Sequence, residues 1–171
     1  MKWNIPFIWK VSQVPGLIFA NVKFYIFMEK VVESNKQLSY ELVTELKSER
    51  LWILSLCQWG GGLLAQKELL KKQKFVSNVL SRALGTGGGC EEESQQMNNR
   101  AIMMIMEFAT LLREGDCDTP AQPKLLKKFE EQLINSGVEQ EMEAHLFRRP
   151  RIGDWTFINT YQTKKWLLLY R

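Results

Sequence analysis

Leucines at 38, 42 and 46 recur every fourth residue, and this spacing predicts an amphipathic helix over residues 37–59. Its polar face is lost in the run LWILSLCQW, as expected of a helix that passes into an interior. Gly60, Gly61 and Gly62 then end it, because successive residues without a Cβ leave the backbone too free to stay helical. A further helix is expected from 63 to 84, burying Ala65, Leu69, Val76, Leu80 and Ala83. Its opposite face carries Lys67, Lys71, Lys74, Asn78 and Arg82. Between 94 and 114, Met97, Ala101, Met104, Ile105, Phe108, Leu111 and Leu112 keep helical spacing, with Ile102, Met103 and Met106 toward the flanks and back. A helix apolar around so much of its girth reads as the central one, stopped by Gly115.

Thr119, Pro120 and Gln122 have the elements of a capping box, and the helix they introduce buries Leu125, Leu126, Phe129, Leu133 and Ile134 before Gly137 closes it. A shorter helix with Val138, Met142 and Leu146 runs to Pro150. Residues 17–28, after the Pro15-Gly16 turn, fit two periods. Alternation of Ile18, Ala20, Val22 and Phe24 suits a strand, whereas Leu17, Ala20, Phe24 and Met28 share a helical face; helix is preferred. Past Arg151 the run DWTFINTYQTKKWLLLYR is aromatic, β-branched and threonine-rich, which predicts strands near 155–161 and 165–170. The chain is thus expected to be mainly α, a single domain over 1–171. It would be a bundle of five or six helices with a small C-terminal β element, a flexible connector at 85–93 and a basic-aromatic segment at 148–171.

At 171 residues, 45% apolar and 25% charged, the chain can bury a core of its own. Cys57, Cys90 and Cys117 form no CxxC pair and one histidine accompanies them, so neither a disulfide scaffold nor a structural zinc is expected. No cofactor is implied, and an intracellular setting, cytoplasmic or nuclear, is the reading. The apolar N-terminus is interrupted by Asn4, Lys10, Ser12, Gln13, Asn21 and Lys23, so it reads as buried structure. No transmembrane segment is expected, and an interfacial anchor is the lesser alternative. The net charge of +4 is unevenly spread: residues 1–89 carry +6, 90–147 carry −7 and 148–171 carry +5. A basic end facing an anionic partner would explain this distribution.

The glycines of LGTGGGCEEE precede Glu91, Glu92 and Glu93, which repel phosphate, and no Gly-Lys-Ser/Thr follows; the stretch reads as a connector. Asp116 to Pro120, DCDTP, resembles the nucleophile motif of haloacid-dehalogenase phosphatases over four residues. Arg113, Glu114 and Gly115 stand where that motif needs an apolar strand. His145, near a helix C-terminus, needs no role beyond solvation or the helix dipole. No local arrangement of nucleophile, base and acid occurs, so no catalytic residue is assigned.

Trp59 to Lys67, WGGGLLAQK, resembles the second half of the groove motif of the apoptosis-regulating B-cell-lymphoma family. The resemblance covers about nine residues and implies a helical bundle around a buried central helix. It departs from the pattern where SERL replaces Asn-Trp-Gly-Arg and Arg50 is displaced, and no second groove motif or C-terminal span accompanies it.

Two interaction readings remain. The favoured one is a non-catalytic helical module that binds a protein partner through a groove or surface. The alternative is nucleic-acid binding by Arg148, Arg149, Arg151, Lys164 and Lys165 interleaved with Trp155, Phe157, Tyr161 and Trp166. Cations would track phosphates while rings stack on bases, and a stranded platform would align Trp155, Phe157 and Tyr161 on one face. The Lys67, Lys71, Lys74 and Arg82 stripe is a second anionic-partner surface that could extend the first into one groove.

Overall fold

The computed structural model describes residues 16–34, 40–85, 94–147 and 155–169. These form eight α-helices and two π-helical turns: α1 Leu17–Ser34, α2 Tyr40–Gly60, α3 Gly62–Lys67, π1 Glu68–Lys72, π2 Val76–Leu80, α4 Ser81–Leu84, α5 Gln95–Glu114, α6 Pro123–Asn135, α7 Val138–Phe147 and α8 Trp155–Leu169. The mainly α reading holds. Among the described residues no helix is long and apolar enough to cross a membrane.

Helix α5 is the centre, as its spacing predicts, and α2, α4, α6 and α8 pack around it. Ser94 caps its N-terminus by accepting from the Met97 amide at 3.3 Å. Ten of its residues, from Met97 to Leu112, are buried. Phe108 lies edge-on to Phe75 and Phe129, with centroids 6.3 and 5.1 Å apart, and so links α5 to the residue preceding π2 and to α6.

Five expectations are corrected. The C-terminal β element is absent: residues 155–169 form one helix, α8. Thr160, Thr163 and Leu167, spaced by three and four, are buried where α8 packs on α5 and α7, and this contact overrides the β-propensity of its threonines and aromatics. The number of helices exceeds the expected five or six partly for this reason and partly because 63–84 is not one helix. It breaks at Gln73 and Lys74, where Lys74 has φ 48°. The Gln73 amide reaches back to the Glu68 carbonyl at 3.0 Å, five residues away, while Asn78 Nδ2 donates to the Gln73 carbonyl at 2.8 Å. Asn78 thus supplies a local alternative to the helical ladder.

The capping box at Thr119 is replaced by a tight loop, and α6 begins at Pro123 instead. Asp116 Oδ1 accepts from the amides of Asp118 (2.9 Å) and Thr119 (2.6 Å), and the Asp116 amide bonds the Thr119 carbonyl at 2.8 Å. Thr119 is buried by this turn and cannot serve as a cap. Finally, of the leucine stripe Leu38 lies outside the described residues, Leu42 is exposed and Leu46 half-buried, whereas Val43 is buried, because α2 lies between α1 and α5 and divides its apolar surface between them. Ile134, expected in the core, is likewise exposed. The connector 85–93 falls, apart from Gly85, outside the described residues, as does the turn at Pro15.

Candidate functional site

Along α2, Glu41, Glu45, Ser48, Trp52, Ser55 and Trp59 follow one another at alternating steps of four and three residues, which places them on one face. From Glu41 to Trp59 they rise through 18 residue steps, about 27 Å of helix. This face borders α5. Arg100 Nη1 donates to the Ser48 carbonyl at 2.8 Å and to its hydroxyl at 3.2 Å, and the guanidinium lies 5.2 Å from the Trp52 ring centre. Further along, Gln58 Nε2 donates to the Met104 carbonyl at 3.4 Å and Trp59 Nε1 to Glu107 Oε2 at 3.3 Å.

The seam between α2 and α5 therefore has two unlike ends. At one, Glu41, Thr44, Glu45, Ser48 and Glu49 of α2, with Ser94 and Gln96 at the start of α5, line an open cavity of about 650 Å³. At the other, Trp59 is 54% exposed and Met103 is 38% exposed, one helical turn from Glu107. Leu64, 74% exposed, follows on α3. Burial pushes the Glu107 carboxyl above its ordinary range, and the donors Trp59 and Ser55 offset part of that rise. Glu107 is thus a half-buried acid that receives two neutral donors.

Of these seam residues, the sequence singles out Trp59 and Leu64, within the groove-like WGGGLLAQK stretch, but not Glu41, Glu45, Ser48, Arg100 or Glu107. Their signal is present in the heptad-like spacing on α2, but it is masked by the apolar run LWILSLCQW, which hides the fact that Trp59 faces solvent.

The sequence-assigned residues are distributed as follows. Lys67, Lys71, Lys74 and Arg82 are all exposed. Lys72 and, on α6, Lys124 and Lys127 are exposed as well. Helix α6 packs against both π turns, with Gln132 Nε2 donating to the Leu70 carbonyl at 3.0 Å. The repeated LLKK at 69–72 and 125–128 thus lies on two neighbouring elements. Arg148, Arg149 and Arg151 lie outside the described residues. Trp155 and Trp166 belong to α8. Phe157 and Tyr161, four residues apart, share a helical face, and the strand expected to align them with Trp155 is replaced by helix. Phe157 is half-buried, Tyr161 and Lys165 are exposed, and Lys164 pairs with Glu143 of α7. Helix α8 rests on α5 and α7, whereas the lysine stripe sits on α3, π1 and the break after it.

The chemistry weighed for DCDTP is accounted for locally: the Asp116 carboxylate is occupied by two backbone amides of its own turn. His145 is buried on α7, not solvated. Burial, reinforced by the charge of Glu68, pushes the Cys57 thiol up to about 11, so it is held as an inert core thiol. Among the described residues no three His, Cys, Asp or Glu side chains are grouped to hold a metal. The chain matches no protein-family model, no curated protein and no solved structure.

Proposed function

We propose that this chain is a non-catalytic helical module that binds a protein partner along the α2–α5 seam. The observation that carries this reading is the exposure of Trp59, held by its bond to half-buried Glu107, together with the exposure of Met103 one helical turn before Glu107 on α5. Tryptophan is the residue type most enriched where binding energy concentrates, and apolar side chains rimmed by polar ones mark interaction surfaces. The seam is also long enough, at about 27 Å, to seat a helical segment of a partner.

A second reading, nucleic-acid binding, is favoured by one observation: Lys67, Lys71, Lys72 and Lys74 are exposed beside a helix that also exposes Lys124 and Lys127. Binding of that kind falls steeply with salt, whereas an apolar-centred protein contact does not.

Selection from a random-peptide phage library separates the two. The protein-partner reading expects enriched peptides whose binding is lost on Trp59→Ala or Met103→Glu and is retained when Lys67, Lys71 and Lys74 are changed to Gln. Labelled single-stranded RNA, titrated at low and high salt against the same proteins, tests the second reading. RNA binding that disappears with the lysine variant, together with no seam-dependent peptide, would reverse the order.

A further inference from the structure

The seam is acidic in a chain that is basic overall. Glu41, Glu45 and Glu49 line its cavity and Glu107 lies at its apolar end, while among the described residues Arg100 is the cation bonded across the seam. That guanidinium is already engaged by Ser48 and by the Trp52 ring. Glu107 is served by two neutral donors, an indole and a hydroxyl, and among the described residues no ion pair is formed with it. A half-buried carboxylate without a counter-charge carries a desolvation cost that a properly placed cation would offset. Trp59, exposed and polarisable, hydrogen-bonds it, and Met103, also exposed, stands one helical turn before it on α5; an indole face attracts an arginine as well as an apolar group.

We propose that the seam takes a cationic amphipathic helix of its protein partner, with an arginine or lysine of that helix entering between Trp59 and Met103 to meet Glu107. This rests on the protein-partner reading above and adds the partner's chemistry. The apolar face of the incoming helix covers Trp59 and Met103. Further cations along its edge run toward Glu49, Glu45 and Glu41, where the open cavity leaves the acids hydrated and their attraction screened by salt.

The test is a coupling measurement. A fluorescein-labelled helical peptide of alanine and leucine, about 18 residues long to match the seam, carries arginines along one edge of its leucine face. A second peptide has glutamine in place of every arginine. Anisotropy titrations compare the wild-type protein with Glu107→Gln, Trp59→Ala and the triple change of Glu41, Glu45 and Glu49 to Gln. The expected result is that Glu107→Gln weakens the arginine peptide at least about tenfold and leaves the glutamine peptide unchanged, the mark of a direct charge pair. The triple change weakens the arginine peptide less, and the loss shrinks as salt rises. Trp59→Ala weakens both peptides.

Equal affinity of the two peptides for the wild-type protein, or an arginine peptide indifferent to Glu107→Gln, would overturn the proposed chemistry. If both peptides still lose binding on Trp59→Ala, the seam reading survives that result. Binding of both peptides unaffected by Trp59→Ala would sink the seam itself. Urea midpoints of each variant confirm that a lost signal is not lost folding.

Discussion

Replacing Gly115 by alanine tests the loop that closes the central helix. Gly115 follows α5 with φ 75° and ψ −170°, a backbone region that side chains with a Cβ avoid. A Cβ there would lie 2.5 Å from the Thr119 carbonyl oxygen, 2.7 Å from the Ala121 nitrogen and 2.9 Å from the Pro120 carbonyl carbon. All three are backbone atoms and cannot turn aside as the end of a side chain can. The dihedral strain costs about 1–3 kcal/mol. Relieving the overlap costs about 1–3 kcal/mol more, because the Asp116–Thr119 turn has to move as a unit. The expected loss is therefore about 4 kcal/mol, a large share of the roughly 5–15 kcal/mol that holds a typical domain together. Gly62 provides the comparison. It too has positive φ, 57°, but a Cβ there would meet only Thr119 Oγ1 at an ordinary 3.4 Å. Gly62→Ala should cost only the left-handed penalty, about 1–2 kcal/mol. Urea unfolding followed by far-UV circular dichroism reads both, and for a chain of this size each kcal/mol moves the melting temperature by about 2–4 °C. A Gly115→Ala protein no less stable than Gly62→Ala would refute the geometric reasoning.

Phe108→Ala removes the ring shared by the Phe75 and Phe129 contacts and should cost about 3–5 kcal/mol, with Phe108→Leu losing distinctly less in the same urea assay. In the folded protein, iodoacetamide at mildly alkaline pH should label the exposed Cys117 well before Cys57, and peptide mass spectrometry showing Cys57 labelled equally fast would contradict its burial. Glu107, with a folded-state pKa raised above its unfolded value, binds its proton more tightly when folded, so the stability it contributes falls as pH rises through that interval. Glu107→Gln lacks this loss. Its stability relative to the wild type should increase as pH rises above the ordinary glutamate range of about 4, and a difference that shrinks toward high pH would be the wrong sign.

How much of this was legible in the sequence follows from which force decided each element. The central helix was legible because burial around most of its girth leaves a period that no other element imitates. Gly115 was legible as a stop for the same reason that Gly115→Ala is costly. Helix α8 was not legible, since WTFINTY has the residues of a strand and only its packing on α5 and α7 decides otherwise. Nor was the break at Lys74, which depends on a non-glycine residue adopting positive φ. The start of α6 was misplaced because Thr119 suits a cap and a buried turn equally well, and Asp116 three residues earlier captured its amide first.

The candidate seam illustrates a more general limit. Lysines are conspicuous in a sequence because charge is read directly, and both stretches first assigned to an anionic partner were found that way. An apolar residue announces nothing about which way it points, and Trp59 sits at the end of a run in which Leu51, Leu54 and Cys57 are all buried. Its exposure is set by the turn at Gly61 and Gly62, which ends α2 one residue later, and by Glu107 on a helix 48 residues away in sequence, which accepts its indole N–H. The side chain is therefore fixed at its polar edge while its remaining surface stays open. A tryptophan held in place before binding loses little freedom when a partner covers it. That restraint distinguishes Trp59 from Phe147, which is more exposed but stands at the last turn of α7. It is the reason to look for the partner along α2 and α5 first.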